Sequence, residues 1–273
     1  MNGTTTAQLA EKTAKAVTGS VEEWTGFLQS AARLYKYSYP EQLLIYAQRP
    51  DATACASYEI WNQTMRRYVR RGARGIALPD GAGAVRYVFD VADTGARKSS
   101  REVKTWALDE NNREAVAHAL ETQYGSAAKL GIAGQLEEIA MQQSMDYWQW
   151  HQDELRGIVD GSFLEGYDEL NLEIAFRNTA AASVKYMLLS RCNLAREYQI
   201  EPEELAGVLE WNTSAASGAL GSAVSELSEG VLREIERTIR QYERSQNHDE
   251  RTDVHEERRV LDSRPDSSRT VGD

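Results

Sequence analysis

The strongest constraint on the fold is a stripe of apolar residues near the C-terminus that repeats every three or four positions. This spacing places all of its members on one face, so it predicts an amphipathic helix of about 30 residues. The face must be covered by the rest of the chain or by a partner helix, and we favour the chain itself. The stripe consists of Leu220, Val224, Leu227, Val231, Ile235, Ile239 and Tyr242.

Helical signals also precede and follow the middle of the chain. Ser20 and Glu23 form a capping box that predicts a helix at about residues 21–36. Pro40 suits the first turn of a second helix, which Pro50 stops. Ser57 could cap a short helix that carries Trp61. After residue 105 the pattern is helical to about residue 245, with Asn111–Glu114 as a further capping box and a helix opening at Pro202.

Between these helical regions the period changes from that of a helix to that of a strand. Tyr68 and Val69 precede a glycine-containing turn at residues 71–73, and residues 76–78 follow as a second short strand. A third strand is indicated by the alternation from Val85 to Val91. The sequence therefore predicts a small antiparallel sheet, with a β-hairpin across residues 71–73.

These patterns predict an α+β fold of four parts. Residues 1–19 form a flexible arm, and residues 20–108 form a small domain of helices with an antiparallel β-hairpin or sheet. Residues 109–245 form a mostly α-helical domain. Residues 246–273 are highly charged with few apolar residues, which predicts a disordered tail.

Charge is sorted along the chain by sign. Residues 31–104 contain 13 Lys and Arg against 7 Asp and Glu, whereas residues 105–246 contain 11 against 24. Solubility alone does not require such sorting, so the basic region is interpreted as a surface for a polyanion. The full chain has a net charge of −11.

Several function classes find no support in the sequence. The HExxH pattern of zinc hydrolases fails at His255, because Arg259 stands where the second histidine belongs, and no phosphate-binding loop is present. We therefore expect no enzyme activity, no catalytic residues, no metal site and no cofactor. There is no apolar run of membrane-spanning length, and Cys55 and Cys192 lack metal spacing, so we expect no membrane partner and a cytoplasmic location.

Aromatic and basic residues alternate in the basic region. Arginine and lysine neutralise phosphates, and aromatic rings stack on unpaired bases, so this mixture indicates single-stranded nucleic acid. Tyr37, Tyr39 and Trp61 could instead be core residues, which for Trp61 is the preferred interpretation. The candidate nucleic-acid-binding residues are Lys36, Arg49, Arg66, Arg67, Tyr68, Arg70, Arg71 and Arg74.

The same region resembles the N-terminal domain of ArdC-type antirestriction proteins, as found at the N-terminus of large proteins of conjugative elements. The resemblance covers roughly residues 20–95. It rests on Pro40–Tyr46, Ala56–Trp61, the basic segment Val69–Ile76 and the VFDVADT segment Val88–Thr94. It implies single-stranded DNA binding and protection of mobile DNA from host defence. The zinc-peptidase motif of the ArdC second domain is missing here, which argues against protease activity.

Two functions remain open. In the first, a non-enzymatic anti-defence protein binds single-stranded DNA through the basic hairpin. In the alternative, the protein directly inhibits a host restriction enzyme or CRISPR nuclease through its acidic helical surface, which would oppose a basic DNA channel. Glu201, Glu203 and Glu204 are the candidate docking residues for that partner.

Overall fold

A computed structural model describes residues 2–81, 83–195 and 200–262. It is mostly helical with a small antiparallel component, which confirms the broad α+β class. The helices are α1 (Gly3–Val17), α2 (Val21–Arg33), α3 (Tyr39–Gln48), α4 (Arg113–Tyr124), α5 (Gly131–Gly157), α6 (Glu169–Arg191), α7 (Pro202–Leu205) and α8 (Ser214–Asp262). The strands are β1 (Cys55–Ser57), β2 (Tyr68–Val69), β3 (Ile76–Pro79), β4 (Val85–Asp90) and β5 (Thr94–Gly95).

Local capping signals locate several helix starts correctly. The Ser20 hydroxyl accepts the backbone N–H of Glu23 at 3.1 Å at the start of α2, and Pro40 lies in the first turn of α3. Helix α2 ends at Arg33 rather than at about residue 36, because the chain turns there and the Tyr37 N–H bonds the Leu34 carbonyl. Helix α4 begins at Arg113, after Asn112 instead of Asn111.

The prediction that residues 1–19 form a flexible arm is wrong. Asn2 caps α1 by accepting the Thr5 N–H at 2.9 Å, and α1 packs against α3. Thr6, Ala14 and Val17 of α1 are buried. The sequence did not indicate this helix because small polar residues such as Thr6 and Thr13 occupy buried positions on α1.

The short strands form two separate sheets. Strand β4 lies between β1 and β3 in one antiparallel sheet, with Ala56 opposite Phe89 and Ala77 opposite Tyr87. Strand β2 pairs with β5 in the other sheet, with Tyr68 opposite Gly95.

The prediction of a hairpin across residues 71–73 is therefore wrong. The true hairpin joins β3 to β4, whereas the chain between β2 and β3 is a loop that turns at Gly72, where φ is +86°. The three-residue apolar run Ile76–Leu78 is buried beneath α3, which draws β3 into the larger sheet. Tyr68 is exposed, so burial of its side chain does not draw β2 into the larger sheet.

A single large core runs through both halves of the chain. It joins Trp24 and Leu28 of α2 to Leu136 of α5, Phe176 of α6 and Ile235 of α8. The Trp24 indole N–H donates to the Ser183 hydroxyl at 2.9 Å across α2 and α6. The boundary predicted between residues 108 and 109 consequently does not separate two cores. A smaller cluster, which includes Ile45 and Leu78, lies between α3 and the larger sheet.

Helix α8 confirms the predicted apolar stripe and its coverage by the chain itself. Leu220, Val224, Val231, Ile235 and Ile239 are buried, and the helix packs against α4, α5 and α6.

Helix α8 continues to Asp262, into the segment predicted to be a disordered tail. The sequence contains no glycine or proline between residues 231 and 264, and its many Glu and Arg residues favour helix. The last part of the predicted tail, residues 263–273, lies outside the described residues. None of the described helices combines the length and apolarity that crossing a bilayer requires.

Candidate nucleic-acid interface

Most of the candidate basic residues lie on one loop, residues 65–75, which we call the basic loop. Its entry is fixed by the Arg67 N–H, which donates to the Trp61 carbonyl at 2.8 Å. Its centre is fixed by the Arg70 N–H, which donates to the Asp93 carbonyl at 2.8 Å. The backbone of the loop is thus positioned by neighbouring segments, while most of its arginines extend into solvent.

The aromatic residues beneath the loop are structural. Trp61 is buried and its indole N–H donates to the Phe89 carbonyl at 2.8 Å, as the core interpretation predicted. Tyr39 is buried too, and the half-buried Tyr37 donates its hydroxyl to the Cys55 carbonyl at 2.8 Å. These three rings support the fold and are not available for base stacking.

A second basic segment, residues 97–104, lies against the basic loop. The Ser100 hydroxyl donates to the Arg66 carbonyl at 2.7 Å, and the Arg101 N–H donates to the Met65 carbonyl at 2.9 Å. Arg66 has a φ of +54°, an uncommon conformation for a residue with a side chain, and these two bonds hold it there. The segment adds Arg97, Lys98 and Arg101, all of them exposed.

Sequence reasoning did not select these three residues, although they contribute to the positive charge of residues 31–104. The contact between the segment and the loop joins residues about 34 positions apart. Only the clustering of Arg and Lys in ARKSSREVK could have suggested them.

Tyr68 forms an exposed aromatic platform at the edge of the basic loop. The ring is 41% exposed and lies across Gly95, its partner in the β2–β5 pair. The Arg97 guanidinium lies 5.5 Å from the ring centroid, within the range of a cation–π contact. A ring and a guanidinium arranged in this way offer both a stacking face and a phosphate contact.

Charge on the loop is not neutralised by the protein. Within the described residues, no ion pair involves Arg66, Arg67, Arg70, Arg71 or Arg74. Arg67 donates to the Thr94 hydroxyl at 2.8 Å, and Arg70 reaches the Ala92 carbonyl at 3.4 Å. Neither partner carries charge, so the loop retains its full positive potential.

Two predicted binding residues do not belong to this cluster. Arg49 pairs with Asp93 at 2.5 Å, and because the Asp93 backbone also accepts from Arg70, this pair supports the loop from behind. Lys36 pairs with Glu236 of α8 at 2.6 Å, away from the loop. Both residues are partly covered by their acidic partners, and neither pair could be predicted from the sequence because the partners are distant along the chain.

The acidic candidates lie on the short helix α7. Glu201 and Glu203 are exposed, whereas Glu204 bonds Lys185 at 2.6 Å. Lys185 also reaches Glu137 at 3.1 Å and so ties α7 to α5. Glu204 therefore contributes to packing between helices, and the predicted helix after Pro202 is only one turn long.

The two thiols are poorly suited to nucleophilic chemistry. Burial raises the pKa of Cys55 and the pKa of Cys192, in each case to about 12. Both thiols stay protonated near neutral pH, and both are free. Across the described part of the chain, no cluster of three His, Cys, Asp or Glu side chains is arranged to hold a metal ion.

Comparisons of the chain with protein-family models, with curated proteins and with solved structures give no match.

Proposed function

We propose that this protein is a non-enzymatic, single-stranded-DNA-binding protein whose contact surface is the basic loop together with Arg97, Lys98 and Arg101. The observation that carries the proposal is that the arginines around the exposed Tyr68 ring form no ion pair with any of the described residues. Phosphate contacts supply affinity in such a surface, and release of counterions makes that affinity depend on salt.

The aromatic platform favours single strands over duplex. A ring can stack on a base only where the base face is free, and in a duplex both faces are covered by neighbouring base pairs. The similarity of residues 20–95 to ArdC-type proteins supports the same substrate, and a role in shielding transferred DNA from host defence.

The test measures binding of labelled single-stranded and duplex DNA by fluorescence anisotropy at several salt concentrations. Wild type should prefer the single strand. Changing Arg70, Arg71 and Arg74 to Ala should weaken binding and reduce the salt slope by about 2, since each phosphate contact to a single strand contributes about 0.7.

A matched variant controls for net charge. Lys12, Lys15 and Lys129 are exposed and lie outside the loop, so changing them to Ala removes the same charge and should leave the slope near its wild-type value. Equal slopes for the loop variant and wild type, or no binding at low salt, would contradict the proposal. In the latter case the acidic surface at Glu201 and Glu203 becomes the surface to test against host nucleases.

A further inference from the structure

A cationic groove runs from the C-terminal end of α2 onto α8. It consists of three neighbouring cavities of about 620, 330 and 280 Å³. The first two share Arg33 and Arg191, and the last two share Glu236 and Arg240, so the three are continuous.

The lining of the groove is strongly basic, although much of it comes from the half of the chain with excess acid. Eight of the lining side chains are Arg or Lys, and among the described lining residues the only carboxylate is Glu236. Carboxylates within ion-pairing distance of these cations add Glu102, Glu229 and Glu234. Eight cations against four carboxylates leave a local excess of positive charge.

Two of these cations, Arg33 and Arg191, are held in place by neutral groups. Arg33 donates to the carbonyls of Ala52 and Pro50 at 3.0 and 2.9 Å. The Arg191 guanidinium lies 3.4 Å from the Trp106 ring centroid and donates to the Trp106 carbonyl at 3.0 Å. Carbonyls and rings orient a guanidinium without neutralising it, and the nearby carboxylates, Asp51 and Asp90 for Arg33 and Glu236 for Arg191, act on these two cations without a direct ion pair in the described structure.

The shape of the lining suits a polymer better than a single small anion. Arg233, Arg237, Arg240 and Arg244 all line the cavity along α8. With a rise of 1.5 Å per residue, the eleven steps from the first to the last cover about 16 Å. Arg233, Arg237 and Arg240 each pair with a glutamate of the same helix, and their remaining N–H groups can still donate to successive phosphates of one strand.

The groove is close to the basic loop. Arg101 is bonded to the loop through Met65, and Lys104, three residues later, lines the groove. Three residues span at most about 11 Å, so the two basic surfaces meet along the segment 97–104. Lys36, which does not lie at the loop, is part of the groove lining.

We propose that this groove is a second contact surface for the same single strand, which passes from the basic loop along residues 97–104 and onto α8. The inference rests on the proposed function, since it extends the path of the strand that the loop binds. It assigns a nucleic-acid contact to Lys104 and Arg244, which lie in different halves of the sequence.

The experiment uses the full chain and two lengths of single-stranded DNA. Nonspecific single-strand sites cover about 4–16 nucleotides per module, so a strand of about 8 nucleotides fits the loop and one of about 30 covers both surfaces. Lys104 and Arg244 are both exposed, so changing them to Ala should preserve the fold, which the helical circular dichroism signal checks. The control variant changes Lys12 and Lys129 to Ala.

The groove variant should bind the long strand more weakly, with a salt slope lower by about 1.4, while its binding to the short strand stays as in wild type. An unchanged slope with the long strand, or the same loss in the Lys12 and Lys129 control, overturns the inference. Failure of the proposed function is seen separately, because it leaves the Arg70, Arg71 and Arg74 variant with wild-type binding of the short strand.

Discussion

Gly95 is the residue that permits the Tyr68 platform to lie where it does. A Cβ at position 95 would overlap the far end of the Tyr68 ring. Because that ring is partly exposed and can rotate away, we expect Gly95→Ala to displace the ring from Arg97 at little cost to global stability. DNA affinity should fall to the level of Tyr68→Ala.

Two measurements check this prediction. Anisotropy compares the DNA affinities of Gly95→Ala and Tyr68→Ala, and thermal unfolding compares their stabilities with wild type. Full affinity in Gly95→Ala together with reduced affinity in Tyr68→Ala would show that the position of the ring over Gly95 is irrelevant to binding.

Glu236 is the residue that ties α8 to the end of α2. Its burial would raise its pKa, but hydrogen bonds from Lys36, Tyr35 and Arg240 outweigh burial and hold the pKa at about 2, below the ordinary 4.5. A carboxylate with a depressed pKa stabilises the fold above its unfolded pKa, and this stabilisation is lost as pH falls through the folded pKa.

The stability difference between wild type and Glu236→Gln should therefore be largest near neutral pH and should shrink as pH falls from about 4.5 toward 2. Urea unfolding at pH 7 and at pH 3 measures it. A difference that is constant with pH would mean that the charge of Glu236 contributes nothing and that only the shape of its side chain matters.

The helix pair α5 and α6 contains two buried serines in opposite situations. The Ser183 hydroxyl accepts from Trp24 of α2 and donates to the Thr179 carbonyl at 2.7 Å. The Ser144 hydroxyl is buried on α5 without a hydrogen-bond partner in the described structure.

Ser183→Ala should cost about 1–3 kcal/mol of unfolding free energy, because it leaves the buried indole N–H of Trp24 unsatisfied. Ser144→Ala removes an unsatisfied polar group and should be neutral or stabilising. Chemical denaturation of the two variants provides a matched comparison. Equal losses would show that the contact between α2 and α6 does not depend on the Trp24 hydrogen bond.

Elements set by local chemistry could be predicted from the sequence, whereas their partners could not. The Ser20 cap, Pro40 and the apolar stripe of α8 act within one or two helical turns, so pattern alone located them. The pairing of β2 with β5 joins residues more than 20 positions apart and is decided by the burial of Ile76–Leu78. The turn residues around Gly72 do not indicate whether β2 pairs with β3 or with β5.

The residues of the candidate site show the same difference between what local sequence predicts and what tertiary contacts decide. The arginines of the basic loop lie within nine consecutive residues, 66–74, so the sequence alone identifies all of them. Arg97 and Arg101 reach the loop only through tertiary contacts, and the charge of Arg49 is paired with Asp93, which supports the loop. Arg244 lies in a segment whose overall charge is negative, so regional charge counts conceal its place in the groove lining.

At the scale of the whole molecule, the shared core makes the fold one thermodynamic unit. Leu28 of α2 and Leu136 of α5 are fully buried in the same cluster, although the sequence places them in different predicted domains. A continuous core couples the unfolding of the elements that contribute to it, which favours a single cooperative transition.

Leu28→Ala and Leu136→Ala should each lose about 2–5 kcal/mol, and each should shift one and the same transition. Scanning calorimetry tests this, since a two-state transition gives equal calorimetric and van't Hoff enthalpies. Two resolved transitions, with each variant shifting only one, would restore a boundary near residue 108. A single transition has a functional consequence, because the basic loop and α8 then keep a fixed distance from each other. Contact of one DNA strand with both surfaces requires such a fixed distance.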